Sequence, residues 1–174
     1  MHPETQPHIR FEPHDERTTV LHTSQWLPYP VEEVFAFFSR PENLQRLTPS
    51  QLQFQILTPD PIVMREGVQL DYKLKVHNIP LRWTSLISNW NPPHEFTDKQ
   101  LKGPYKVWVH SHRFRTEGNG TQVDDHIQFR APGGKLLEKL IVQRDLASIF
   151  NYRQKILSEI FGLSPAENAA VPAD

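Results

Sequence analysis

The sequence predicts an α+β domain in which an antiparallel sheet of seven strands packs against one long helix at the C-terminal end. Apolar residues recur at helical spacing over residues 136–161, a stretch without internal proline or glycine. Most of the preceding chain alternates apolar and polar residues, as half-buried strands do. Short turns separate these stretches, so neighbouring strands are expected to run antiparallel.

The first strand is predicted over residues 18–27, which are rich in β-branched and aromatic side chains. A short helix is predicted to begin at Pro30, because proline suits a first helical turn, and to stop before Pro41. A second short helix is predicted over residues 42–47. These two helices are too short to form a bundle of their own.

Six further strands are predicted before the long helix. The clearest covers residues 68–77, where apolar and polar residues alternate without interruption. The last two predicted strands are joined by Gly118-Asn119-Gly120, which is a tight hairpin signal. In chain order, the six strands are predicted over residues 52–57, 68–77, 81–90, 95–101, 105–117 and 121–131.

A chain of 174 residues is most simply one domain, which we predict over residues 17–161. Residues 1–16 are polar and rich in proline and histidine, so they are predicted to form a mobile arm. Residues 162–174 consist mostly of small residues and are predicted to form a mobile tail.

Composition narrows the classes of function. The net charge of -1 produces no strong field toward nucleic acid or an anionic membrane. No apolar run approaches the roughly 20 residues that span a bilayer, and the N-terminus lacks a signal-peptide pattern. The absence of cysteine excludes disulfides and thiolate chemistry. We therefore expect a cytoplasmic protein with no cofactor, no nucleic-acid partner and no membrane insertion. A protein partner is compatible with the sequence but not indicated by it.

The predicted hairpin brings together the side chains most suited to chemistry. With a two-residue Gly118-Asn119 turn, His112 lies directly opposite Asp125. An Asn119-Gly120 turn would keep the same faces but shift the register by two residues. Either register points His110, His112 and Asp125 inward among aromatic side chains, where a carboxylate requires a partner.

The order of elements and a set of local strings resemble a known superfamily. The strings are Asn43-Leu44, Leu47-Thr48-Pro49, Pro80-Leu81-Arg82-Trp83-Thr84, Trp90-Asn91-Pro92-Pro93, Phe96-Thr97-Asp98-Lys99-Gln100, Gly103-Pro104-Tyr105, Trp108-Val109-His110-Ser111-His112-Arg113-Phe114 and Ile149-Phe150-Asn151-Tyr152-Arg153. They are similar to the SRPBCC superfamily, which has the START-like or helix-grip fold. Within it they resemble the bacterial ligand-binding branch related to polyketide cyclase and CoxG-like domains. This resemblance covers about residues 18–161. It implies a curved sheet that grips the C-terminal helix, an elongated cavity between them, and two short helices that close one end.

Three interpretations of the inward histidines and aspartate remain open. The first is a self-satisfied His112–Asp125 pair that fixes the register of the sheet. The second is a polar spot that orients the carbonyl or hydroxyl group of a ligand in an apolar cavity. The third is general acid–base chemistry by His112 with Asp125, as in an enzyme of cyclase, aromatase or dehydratase type. The candidate ligand-binding residues are Tyr72, Trp83, Phe96, Asp98, Gln100, Trp108, His110, His112, Phe114, Asp125, Ile127 and Phe129.

A metal site ranks lowest among these interpretations. His110 and His112 are suitable ligands, but the sequence places no third strong ligand beside them, so no metal is predicted. Arg153, in the long helix, could face the cavity mouth or pair with an acid, but solvation is the preferred interpretation. The function favoured by the sequence is binding of a small, mostly apolar molecule, lipid-like or polyketide-like, rather than catalysis. An accessory module that acts with a partner enzyme is a further alternative.

Overall fold

The computed structural model describes residues 9–162 of the chain. It contains eight strands: β1 (Arg10–Pro13), β2 (Thr19–Leu27), β3 (Gln55–Ile56), β4 (Gln69–Val76), β5 (Ile79–Asn91), β6 (Glu95–Lys102), β7 (Val107–Glu117) and β8 (Gly120–Arg130). They form one antiparallel sheet in the order β1-β2-β8-β7-β6-β5-β4-β3, accompanied by a long helix near the C-terminus. This confirms the predicted α+β class, with eight strands in place of the seven expected.

The additional strand, β1, lies in the stretch that we assigned to the N-terminal arm. It pairs with β2 so that Phe11 stands opposite Leu21. The Phe11 ring also contacts Phe129 edge to face, with 6.3 Å between ring centroids. Pairing with β2 and the contact of Phe11 with the core thus hold this segment on the sheet. Residues 1–8 of the predicted arm and residues 163–174 of the predicted tail lie outside the described residues.

Two short helices follow β2, as predicted: α1 (Val31–Phe38) and α2 (Pro41–Arg46). The strand predicted over residues 52–57 is reduced to the two residues of β3, preceded by a 3-10 turn over Ser50–Leu52. Gln53 has a left-handed φ of 45°, which ends the extended conformation that the alternating pattern suggested.

The C-terminal helix is not one uninterrupted element. It consists of α3 (Gly134–Leu137), a π-helical turn (Glu138–Val142) and α4 (Gln143–Ile160). No helix between residues 9 and 162 combines the length and the apolarity needed to cross a membrane.

The first turns of this helix reverse the burial that the sequence predicted. Leu137, Leu140 and Ile141 were expected to be buried, but they are 43%, 53% and 43% exposed, whereas Glu138 is 1% exposed. An α-helix turns once in 3.6 residues, so two residues nine positions apart lie on opposite faces. Leu137 and Ile141 are separated by that interval from Leu146 and Phe150, respectively, which are buried. The Glu138 carboxylate instead accepts hydrogen bonds from the Thr19 hydroxyl and the Ala131 amide.

The register of the β7–β8 hairpin agrees with the prediction made for a Gly118-Asn119 turn. Glu117 pairs with Gly120 across that turn, and His112 stands opposite Asp125. The alternative Asn119-Gly120 turn is therefore excluded. The other predicted pairs are also observed: Trp108 with Phe129, His110 with Ile127, Arg113 with Asp124, and Phe114 with Val123. Gly118 has a φ of 60°, which glycine adopts without a steric penalty.

Two separate apolar clusters lie between the sheet and the helix. The first is formed by Leu27, Val31, Val34, Phe35, Leu47, Phe96, Phe114, Val123, Leu157 and Phe161. The second is formed by Leu21, Ile127, Phe129, Leu146 and Phe150. Each element that contributes to both clusters carries polar residues between its two contributions, and these polar residues form the candidate site.

Candidate functional site

A layer of polar side chains separates the two apolar clusters. On β8, Asp125 lies between Val123 of the first cluster and Ile127 of the second. On α4, Arg153 lies between Phe150 and Leu157 in the same way. We define the polar layer as Thr23, Gln25, Asp98, His110, His112, Asp125, Arg153 and Gln154. Seven of these eight residues are buried, and Asp98 is partly buried.

Asp125 is at the centre of the polar layer. Its Oδ1 atom lies 2.9 Å from Nε2 of His110 and 2.8 Å from Nδ1 of His112. Nη2 of Arg153 approaches the same oxygen at 3.4 Å. The sequence predicted His112 as the partner of Asp125, and the structure adds His110 and Arg153. A buried carboxylate with three donors is fully compensated.

Asp98, on the neighbouring strand β6, faces the other side of the same two rings. Its Oδ2 atom lies 3.2 Å from Nε2 of His112 and 3.7 Å from Nδ1 of His110. Each imidazole therefore has one nitrogen directed at Asp125 and the other directed at Asp98. Strand register produces this arrangement, because Asp98 pairs with His110 across β6 and β7.

Further polar contacts connect Asp98 to the far side of the sheet. The Ser85 hydroxyl lies 3.5 Å from Oδ1 of Asp98 and accepts a hydrogen bond from the Trp83 indole at 3.1 Å. The Tyr72 hydroxyl lies 2.9 Å from the same Ser85 oxygen. A chain of polar contacts thus runs from Tyr72 on β4 to Arg153 on α4.

The surroundings shift the pKa values of the two imidazoles in opposite directions. Burial, together with the charge of His112, lowers the pKa of His110 to about 4. Burial also acts to lower the pKa of His112, but hydrogen bonds to Asp125 and Asp98 outweigh it, so that pKa is raised. His110 is therefore neutral at pH 7, and His112 is the imidazole that takes a proton more readily.

Both carboxyl groups of the site are ionised at neutral pH. Burial alone would raise the pKa of Asp125, but the charge of Arg153 and hydrogen bonds from both histidines hold that pKa well below its ordinary value. For Asp98, burial is likewise outweighed, chiefly by the hydrogen bond with His112, so its pKa is lowered. Two negative charges thus face the one permanent positive charge of Arg153.

Aromatic rings pack against the polar layer on both sides. Phe96 stacks on His112 with 4.2 Å between ring centroids, and Phe150 lies 5.8 Å from the His110 ring. The guanidinium carbon of Arg153 lies 5.0 Å from the centre of the Phe38 ring. The superfamily resemblance led us to expect an elongated cavity here. At the level of the polar layer, the rings of Phe38, Phe96 and Phe150 contact the side chains that such a cavity would expose.

Three polar atoms on the helix side of this packing are buried without a hydrogen-bond partner among the described residues. They are Oε1 of Gln25, Nε of Arg153 and Oε1 of Gln154. The side-chain amide nitrogens of the two glutamines are paired, since Gln25 donates to the backbone carbonyl of Gln154 and Gln154 donates to the Thr23 hydroxyl. An unpaired buried polar atom costs about 1–3 kcal/mol, so these three atoms require an explanation.

The structure brings together only part of the predicted ligand-binding set. Asp98, His110, His112 and Asp125 belong to the polar layer, and Phe96 and Trp108 contact its rings. Phe114, Ile127 and Phe129 are core residues of the two apolar clusters. The Gln100 side chain is bound to the backbone of Tyr105 through both its nitrogen and its oxygen, so it fixes the β6–β7 connection.

Arg153 was expected to be solvated, and that prediction is wrong, since the residue is 6% exposed. A signal for its burial was present in the sequence. Phe150, Arg153 and Leu157 follow one another at spacings of three and four residues, which places all three on one helix face. Ser85, Gln25 and Gln154 were also missed, because polar residues at inward strand or helix positions carry no signal of what they contact.

Two surface clefts lie outside the polar layer. Tyr72 and Trp83, both predicted to bind ligand, line a cleft of about 430 Å³ together with Asp71, Thr84 and Lys102. The second cleft, of about 320 Å³, lies beside the start of the C-terminal helix and is lined by Glu16, Arg17, Lys106, Arg130, Ala131, Gly134, Lys135 and Glu138.

The chain matches one protein-family model, described as polyketide cyclase / dehydrase and lipid transport, over residues 27–145. No curated protein matches the chain significantly.

Solved structures share the fold at low sequence identity. Protein Ms6760 from Mycobacterium smegmatis is 16% identical, with a TM-score of 0.61 over 91% of this chain and 99% of that chain. The ginseng major latex-like protein 151 from Panax ginseng is 14% identical, with a TM-score of 0.62 over 83% of this chain and 97% of that chain. CalU16 from Micromonospora echinospora is 16% identical, with a TM-score of 0.55 over 95% of this chain and 94% of that chain. At these identities the likeness concerns the fold alone.

Proposed function

The chain belongs to the polyketide cyclase/dehydrase and lipid transport family, and from this premise we propose that it binds a small, mostly apolar molecule carrying one hydroxyl or carbonyl group. The guest lies between the sheet and α4. Its apolar body contacts the aromatic rings of the two clusters, and its oxygen meets the polar layer.

The observation that carries this proposal is the polar layer itself. A fold that only needed to cover its sheet would gain more from apolar residues at these inward positions, because buried ion pairs rarely repay their desolvation. Small-molecule sites, by contrast, combine apolar walls with a few fixed polar groups. The unpaired atoms of Gln25, Arg153 and Gln154 are the hydrogen-bonding groups left for the guest or for water.

Because aromatic rings cover the polar layer, a guest reaches it only when a ring moves aside. Phe38 on α1 and Phe150 on α4 are the rings that cover Arg153 and His110. Displacing either ring from the polar layer creates space for an aromatic guest without altering the pairing of the sheet. The guest is therefore expected to bind slowly relative to diffusion.

The test compares 1-naphthol with naphthalene, which lacks the hydroxyl. A ligand that prefers the folded state raises the melting temperature, with about 2.7 kcal/mol of stabilisation at 100 times its dissociation constant. We expect 1-naphthol to raise the melting temperature more than naphthalene does. In His112→Gln and Asp98→Asn that difference should vanish, whereas His126→Gln, on the outer face, should retain it.

Equal shifts for the two compounds in every variant, or no shift for either, would remove the proposal. The same variants separate binding from catalysis. If a hydroxylated polyketide-like compound is converted by the wild type, and His112→Gln binds it without converting it, the protein is an enzyme that uses His112 with Asp125.

A second candidate function, that of an accessory module, is favoured by the exposed apolar side chains at the start of the C-terminal helix. Leu136 and Leu140 are 73% and 53% exposed. The adjoining cleft is lined by the cationic residues Arg17, Lys106, Arg130 and Lys135. Leucines beside cations fit an acidic protein surface that offers apolar contacts.

This candidate predicts that the immobilised wild-type chain retains an acidic protein from a lysate of the organism in which it occurs naturally, and releases that protein at high salt. Leu136→Ser with Leu140→Ser should lose the same protein, whereas Val63→Ser, at an exposed apolar position elsewhere, should retain it. Retention by the double variant would contradict the accessory role.

A further inference from the structure

Three ligand-type atoms in the polar layer converge on one point. They are Oδ2 of Asp98, Nδ1 of His110 and Nε2 of His112, and all lie within 4.8 Å of one another. We propose that these three residues bind a divalent transition-metal ion of the zinc class. Among residues 9–162 they form the single group of three histidine, cysteine or carboxylate side chains arranged in this way.

The distances suit a tetrahedral ion. Zinc binds histidine nitrogen and carboxylate oxygen at about 2.0–2.2 Å, which places neighbouring ligand atoms about 3.3–3.5 Å apart. Oδ2 of Asp98 lies 3.2 Å from Nε2 of His112 and 3.7 Å from Nδ1 of His110. The third distance, between Nδ1 of His110 and Nε2 of His112, lies within 4.8 Å, so coordination requires the two rings to turn toward each other until these nitrogens reach tetrahedral spacing.

Asp125 orients both rings for this purpose. A carboxylate oxygen accepts hydrogen bonds, so the nitrogens that face Asp125, Nε2 of His110 and Nδ1 of His112, carry the protons. Nδ1 of His110 then presents its lone pair toward Asp98, and Nε2 of His112 does so once zinc has displaced the proton that this nitrogen donates to Asp98. Carboxylate–histidine–metal chains fix ligand orientation in this manner.

A positive charge is needed among these three atoms. Without a metal ion, the proton on Nε2 of His112, which donates to Oδ2 of Asp98 at 3.2 Å, supplies it, and zinc would replace that proton. Arg153 does not occupy that position, because its Nη2 atom lies 3.4 Å from Oδ1 of Asp125 and 3.4 Å from Nδ1 of His112, on the opposite side of the rings. Oδ1 of Asp98 is held by Ser85, which leaves Oδ2 for the ion.

A site with three protein ligands keeps its fourth tetrahedral position for another oxygen. Water or an oxygen of a ligand would complete the coordination there. The metal proposal does not depend on the guest of the proposed function, since the ion alone completes the three protein contacts. The two proposals can therefore fail separately.

The test is a calorimetric titration of the full-length chain, freed of metal by a chelator, with zinc chloride and no organic ligand. We expect one zinc ion per chain. Asp98→Asn and His112→Gln should each weaken binding by more than about 100-fold, and Asp125→Asn, which keeps the three ligands but removes the carboxylate that orients both rings, by about 10–100-fold. Far-ultraviolet circular dichroism establishes that each variant is folded.

Two control variants distinguish this site from other histidines. His22→Gln with His126→Gln removes the pair on the outer face, and His2→Gln with His8→Gln removes two histidines near the N-terminus. Both controls should bind zinc as the wild type does. Cobalt(II) provides a second measurement, since tetrahedral coordination gives an intense visible absorption that Asp125→Asn should retain and Asp98→Asn should lose.

The proposal is overturned if the wild type binds no zinc at micromolar concentrations. It is also overturned if folded Asp98→Asn and His112→Gln bind zinc as the wild type does, or if either control pair abolishes binding.

Discussion

The β7–β8 hairpin and the first turns of the C-terminal helix are both amphipathic in sequence, yet only the hairpin folds as its pattern predicts. In the hairpin, the predicted inward residues face the core, and His112 meets Asp125. At the start of the helix, Leu137 and Leu140 are exposed and Glu138 is buried. The two segments differ in what determines which of their faces is buried.

A hairpin sets its own register locally. Side chains alternate with a period of two, and a two-residue turn leaves no freedom in the pairing that follows. The phase of a helix is set by more distant partners. Here Glu138 reaches Thr19 on β2, and the π-helical turn over Glu138–Val142 absorbs the mismatch with α4. The hydrogen bonds of the buried Glu138 carboxylate thus orient this turn, although they leave Leu137 and Leu140 exposed.

The largest loss of stability is expected from a substitution at Asp125, the buried carboxylate of the hairpin. Asp125→Ala removes the shared acceptor of His110, His112 and Arg153 and leaves their donors buried without it. Removing one member of a buried ionic group costs about 3–5 kcal/mol. Urea unfolding should show a loss of that size in the free energy of unfolding.

Asp124→Ala, one residue away on the outer face, is the matched control and should cost less than about 1 kcal/mol. Equal losses for the two variants would mean that the hairpin register does not govern the energetics of the site.

The next largest loss of stability is expected at a buried leucine of the C-terminal helix and not at an exposed one, although both belong to the same apolar pattern in the sequence. Leu146→Ala opens a cavity at a buried position and should cost about 2–4 kcal/mol. Leu140→Ala alters an exposed side chain and should cost less than about 1 kcal/mol. Thermal and urea unfolding would both detect this contrast. A large loss in the free energy of unfolding for Leu140→Ala would contradict its exposure and would support the uninterrupted amphipathic helix that the sequence predicts.

A smaller effect is expected for Glu138→Gln, which keeps the shape of the side chain but removes the charge behind its hydrogen bonds. Hydrogen bonds to charged groups contribute about 1.5–3 kcal/mol, so a loss toward the lower end of that range is expected. Glu159→Gln, an exposed acid on the same helix, should change the free energy of unfolding by less than about 0.5 kcal/mol. If Glu138→Gln is as stable as Glu159→Gln, Glu138 does not set the helix phase.

The smallest effect concerns the turn of the hairpin. Gly118→Ala places a side chain at a φ of 60°, which costs about 1 kcal/mol. Asn119→Ala should cost less than about 0.5 kcal/mol, because most residues tolerate the second position of such a turn. The ratio of the two losses in urea unfolding checks whether the turn type explains the register. An unaffected Gly118→Ala would show that long-range pairing alone is sufficient.

The features that could be predicted from the sequence are those determined by neighbouring residues in the chain. Strand alternation and the Gly118-Asn119 turn predicted the sheet and the His112–Asp125 pair. Strand β1 was missed because its assignment depends on a place for Phe11 beside Phe129. Asp98 was among the candidate ligand-binding residues, but its approach to both imidazoles depends on the pairing of β6 with β7. Arg153 was missed because a charged residue at an inward helix position suggests solvent until its partner is known.

The central claim is that the polar layer meets a guest molecule rather than only stabilising the sheet. The most direct measurement is a long-range proton–nitrogen NMR spectrum of the histidine rings during titration with 1-naphthol. We expect the ring nitrogens of His110 and His112 to shift and saturate together, while those of His22 and His126 on the outer face stay unchanged. Unmoved signals from His110 and His112 at saturating 1-naphthol, or shifts confined to His22 and His126, would contradict the claim.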